Sequence, residues 1–102
     1  MSQLGNKKSV ETKTLDDVVN AARLNFGIGI TAYLHHPEVC GFSLTGRVYF
    51  DRKDRFQNGR LIRTSDVLEF VEIGDHLVAV TLTGSTYVLV APSCEMLTLP
   101  GG

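Results

Sequence analysis

The sequence predicts an α+β fold, with one N-terminal helix followed by a strongly bent antiparallel sheet or small barrel of about five to six strands. Three observations carry this. Apolar residues recur at helical spacing only near the start, and the period falls to two from Ile28 onward. Two Gly-X pairs, Gly74-Asp75 and Gly84-Ser85, then divide the β-branched stretch between Val67 and Val90.

Residues 1–13 are polar and aperiodic and read as a flexible terminus ahead of a single domain over residues 14–102. Thr14-Leu15-Asp16-Asp17 has the pattern of a helix start, a hydroxyl placed to accept from the first turn and two acids at the positive end of the dipole. Leu15, Val18, Val19, Ala22 and Phe26 share one face, and Gly27 stands where a left-handed cap is wanted, so a helix is expected over residues 15–26. Ile28, Ile30, Ala32 and Leu34 then alternate with Gly29, Thr31, Tyr33 and His35 as a half-buried strand. A turn at His36-Pro37-Glu38 leads into a second strand with Cys40, Phe42, Leu44, Val48 and Phe50 inward, which sets Leu34 opposite Cys40 and Ala32 opposite Phe42. Gly41 and Gly46 mark bends or bulges within that strand.

Asp51 to Gly59 is a charged connection, and Arg60 to Thr64 a short strand. Gly74-Asp75 and Gly84-Ser85 both read as two-residue turns of type II′. Val71 then faces Val78, Val80 faces Leu89 and Leu82 faces Tyr87, and these residues with Val67 and Ile73 form the core face. The opposite face carries Leu68, Phe70, Ala79, Val88 and Val90 among threonines and is expected to be partly covered. Pro92 stops the last strand, and Met96, Leu97 and Leu99 are expected to dock on the sheet. The order of elements is compatible, as architecture, with Sm-like and SH3-like barrels.

A chain of 102 residues that is 43% hydrophobic and 21% charged suits one ordinary globular domain. With neither a spanning apolar run nor an apolar leader, the expected location is the cytoplasm, away from membranes. There Cys40 and Cys94 read as buried thiols rather than a disulfide. The net charge of -1 hides a partition: from Gly46 to Arg63 six basic residues face only Asp51 and Asp54, whereas from Thr64 onward there are five acids and no Lys or Arg. Such asymmetry bears on partners.

No metal or cofactor site is expected. His35, His36, Glu38 and Cys40 cluster, but adjacent strand residues point to opposite faces, and the paired spacing of structural zinc sites is lacking. Cys40 or Cys94 with His36 or His76 can be drawn as nucleophile and base, but two cysteines and three histidines in any small domain allow such a drawing; Asp16-Asp17 belongs to the helix start, and Glu69 and Glu72 lie on opposite strand faces. Gly27-Ile28-Gly29 follows a helix, whereas phosphate loops precede one. An enzyme is therefore not expected.

The basic stretch interleaves aromatics, and Tyr33, Arg47, Tyr49, Arg52, Lys53, Arg55, Phe56, Arg60 and Arg63 are the candidate binding residues. The leading expectation is a small non-catalytic protein-interaction module, an accessory, regulatory or inhibitor protein of the kind mobile elements encode, whose basic patch meets an acidic partner. A homodimer through Leu68, Phe70, Val88 and Val90 is expected with it. The alternatives are an RNA- or single-stranded-DNA-binding domain that stacks bases on its aromatics, against which a pI near 6.3 weighs, and a small-molecule binder within the curled sheet.

Overall fold

A computed structural model describes residues 16–92. The expected N-cap Thr14, Cys94 and the docking of Met96, Leu97 and Leu99 lie outside the described residues. One short helix, α1 (residues 16–22), precedes β1 (Ala32–Cys40), β2 (Ser43–Tyr49), β3 (Arg60–Arg63), β4 (Val67–Ile73), β5 (His76–Thr81) and β6 (Thr86–Val90). The strands form one six-stranded sheet in the order β3-β2-β1-β6-β5-β4.

The sheet is mixed, not antiparallel throughout, because β1 and β6 run parallel at its centre. The cause is the link between β3 and β4. All other neighbours are antiparallel, so β3 and β4 both run in the direction of β1, and Thr64-Ser65-Asp66 joins them without a reversal. That link spans roughly 14 Å at most, so the two outermost strands must meet at one corner, which curls the sheet strongly. Backbone bonds stitch the corner: Val67 N–H to Phe42 O at 2.7 Å, Thr64 N–H to Leu44 O at 2.8 Å and Leu82 N–H to Asp66 O at 2.9 Å. The sheet is not closed, since β3 and β4 remain its two edges.

Two apolar layers result. Ala32, Leu34, Leu44, Val48, Ile62, Ala79, Tyr87 and Leu89 pack together from the strands alone, which identifies theirs as the concave face, and Phe56 joins from the loop after β2. On the convex face Val18 and Ala21 of α1, with Phe26 and Ile30, cover Val78, Val88 and Val90. The helix is shorter than the expected span. Its last turn tightens, with Leu24 N–H bonding to Ala21 O at 3.1 Å, and Asn25 Oδ1 accepts from the N–H of Gly27, which holds φ +77. Ile28 is exposed and Ile30 joins the helix layer, so the expected strand begins only at Ala32.

Two expected registers change. β1 does not turn at His36-Pro37-Glu38; it bulges there, His36 and Pro37 standing against Gly46, and continues to Cys40. The turn is Gly41-Phe42, with Gly41 at φ +63, and it pairs Cys40 with Ser43 and Leu34 with Val48. Cys40 is consequently free and only half-buried, at a hairpin end. Gly74-Asp75 is the expected tight turn, with φ +59 at Gly74 and Ile73 opposite His76. The Gly84 turn is longer, because Thr81 Oγ1 accepts from Ser85 N–H at 3.1 Å and Thr81 N–H bonds to Ser85 O at 2.9 Å. Val78 therefore faces Val88 and Ala79 faces Tyr87, an odd shift that sends every side chain of β6 to the other face. Val88 and Val90 are buried beneath α1, so with Leu68 and Phe70 they do not make one exposed dimer patch.

Candidate interaction surface

The basic stretch is divided by the sheet. Its loop is wrapped around Asp51, whose carboxylate accepts from the backbone N–H groups of Lys53, Arg55 and Phe56 at 3.1, 2.8 and 3.2 Å and from Arg55 Nε at 3.2 Å. Burial alone would raise the pKa of this carboxyl, but the Arg55 guanidinium and the backbone donors outweigh it and hold it below its ordinary value. Arg55 also donates to Tyr87 Oη at 3.2 Å and lies 4.9 Å over the Phe56 ring, which packs on the concave core. Lys53 Nζ reaches Ser85 Oγ at 3.2 Å. Lys53, Arg55 and Phe56 thus hold the loop against the sheet and are not a free binding strip.

Tyr33, Arg47 and Tyr49 do share the convex face, Tyr33 opposite Tyr49 and Arg47 opposite His35. Burial raises the Tyr33 pKa, partly offset by the nearby Arg52 charge. Phe50, which alternation assigned to the core, is 39% exposed in a left-handed conformation at φ +55. Its ring stands edge-on to Tyr33 at 6.2 Å and at 6.5 Å from Tyr49. Arg47 Nη1 donates to Gly59 O at 2.9 Å and Arg63 Nε to Ser43 Oγ at 2.7 Å, while Arg52 and Arg60 are exposed. A small aromatic and cationic area of Tyr33, Tyr49, Phe50, Arg47 and Arg52 results, and Arg60, Arg63 and the loop cations stand apart from it.

A second surface was not expected. Phe42 at 81%, Leu82 at 64% and Leu68 at 62% are, with Leu61 at 62%, the most exposed large apolar side chains among the described residues. The stitched corner brings their backbones together: Phe42 O bonds to the residue before Leu68, and Leu82 N–H bonds to Asp66. No family model, curated protein or solved structure matches the chain. The Gly41-Phe42 pair was the available signal in the sequence, since it has the same Gly-X form as the other turns and sets a phenylalanine at a hairpin tip.

Among the described residues no group of three or more His, Cys, Asp or Glu side chains could hold a metal ion. No helix among them is long and apolar enough to cross a membrane.

Proposed function

We propose that the protein is a small non-catalytic interaction module, accessory, regulatory or inhibitory, that docks on a protein partner through the corner of Phe42, Leu68 and Leu82. The exposure of these side chains on a hydrogen-bonded corner carries the reading. Large apolar groups left in water raise the free energy of the isolated molecule, and a fixed backbone lets a partner cover them without a large ordering cost. An aromatic anchor among aliphatic neighbours is the usual centre of such a contact. Arg63 beside the corner and Arg60 on the edge strand supply the cations for an acidic rim on the partner.

The aromatic and cationic area around Tyr33, Tyr49, Phe50, Arg47 and Arg52 supports a second reading, binding of single-stranded RNA or DNA by stacking and phosphate contact. The small-molecule reading has the least support, because strand side chains and Phe56 pack together on the concave side. Affinity purification with and without nuclease separates the first two. The expected result is a stoichiometric partner that survives nuclease and is lost from Phe42→Ser and Leu82→Ser, both of which melt like the parent. Capture that nuclease removes, or that depends on Tyr49 and Arg52 instead of Phe42, would give the second reading precedence.

A further inference from the structure

The bulge of β1 opens a cleft of about 170 Å³ on the convex side, lined by His35, His36, Glu38, Thr45, Arg47 and Leu61. Where the first residue of a bulge is left-handed, glycine is the usual occupant. Here His36 holds φ +52, although a glycine would fit that backbone without strain. Unusual backbone conformations of this kind persist where a side chain is wanted in a particular place. The His36 ring lies 3.9 Å from the ring of buried His35, and Arg47 is the cross-strand neighbour of His35. Arg47 is tethered by one nitrogen to Gly59 O, so its guanidinium is oriented while other N–H groups remain to donate.

We propose that this cleft binds a small tetrahedral oxyanion of the phosphate or sulfate kind, held by Arg47, His36 and the Thr45 hydroxyl. A guanidinium, an imidazole and a hydroxyl lining one small concavity are the donor types that suit such an anion. The groups facing the imidazole pair decide when it binds. Asp17 of α1 and Glu38 of β1 are acidic, Arg47 of β2 is cationic and Tyr49 of β2 stands edge-on to His35 at 6.2 Å. With the imidazoles neutral, Glu38 cancels Arg47. A proton on His35, whose pKa burial lowers, turns the cleft cationic, so binding strengthens as the pH falls.

Titration of the full chain with sodium sulfate and with inorganic phosphate, followed by amide and imidazole NMR at constant ionic strength, tests this. Sulfate keeps its charge across the range, so its pH dependence reports the protein; phosphate loses charge as the imidazoles gain it. Saturating shifts confined to His36, Thr45 and Arg47 are expected, several-fold tighter for sulfate near pH ~5.5 than near pH ~7.5, with a weaker trend for phosphate. Arg47→Met should abolish them. His36→Gly should abolish them too while melting no lower than the parent, which separates lost binding from lost fold. Shifts that stay linear and spread over the surface cations, or saturating shifts unchanged in His36→Gly, would overturn the proposal.

Discussion

Gly46 is where the packing leaves least room. A Cβ there would stand 2.7 Å from Leu34 Cγ and 3.1 Å from His35 O, both in buried residues. Gly46→Ala should cost about 1–3 kcal/mol in urea unfolding, since neither neighbour can give way; a variant as stable as the parent would contradict the close approach of β1 and β2. Asp51 makes a different kind of prediction. Its folded pKa lies below the unfolded one, so it stabilises above the ordinary carboxylate pKa of about 3.9, and that contribution is lost as the pH falls through the folded value. Asp51→Asn is therefore expected to lose about 1–3 kcal/mol at neutral pH, with the gap to the parent closing in acid melts. His35 follows the same sign: burial, then the neighbouring His36, lowers its pKa against a smaller opposing pull from Asp17. Stability present above about pH 6.5 should decline on acidification, and His35→Phe should flatten that decline.

Between elements, what could be read from the sequence and what could not is a matter of which interactions are local. The Gly74-Asp75 hairpin was legible because a glycine at positive φ and flanking alternation suffice to define it. Gly84-Ser85 has the same letters, yet the Thr81 hydroxyl bonds to Ser85 across the turn, lengthens the loop and reverses the facing of β6, which alternation alone does not encode. His36-Pro37 read as a turn because proline breaks a ladder; the bulge absorbs it, since the extra residue needs no cross-strand partner. The helix and the existence of a bent sheet were visible in periodicity. The binding set was visible only in part: Tyr33, Arg47 and Tyr49 alternate on one face, but the capture of Arg55 by Asp51 and the exposure of Phe42 depend on the fold. Gly41, read as a strand bend, is a turn residue at φ +63. Gly41→Val and Gly74→Val should then destabilise alike, by roughly 1–2 kcal/mol each, in thermal melts; a neutral Gly41→Val would restore the long-strand reading.

For the molecule as a whole, the partition of charge along the chain becomes a partition across the sheet. The β3 edge carries Arg60 and Arg63, and the β4 edge carries Glu69 and Glu72. Charges along exposed edges oppose the pairing of β3 with β3, or of β4 with β4, between copies. The burial of Val88 leads to a further expectation. Val88→Ala should lower stability by about 2 kcal/mol, as a cavity between sheet and helix does, and leave the hydrodynamic size unchanged. Dissociation of a larger species, with the melting temperature intact, would instead return Val88 to an intermolecular contact.

The parallel pairing of β1 with β6 also sets an order of events during folding. Each hairpin closes between neighbours in sequence, but Ala32 must wait for Tyr87 and Leu34 for Leu89. The centre of the sheet is therefore made last, between β1 and β6, after both flanking halves have lost the entropy of forming. A chain lacking β6 would hold two halves joined only at the corner between β3 and β4, with the edge of β1 that pairs with β6 open. Pairing of β6 with β1, more than the closure of any hairpin, then governs when the sheet is complete.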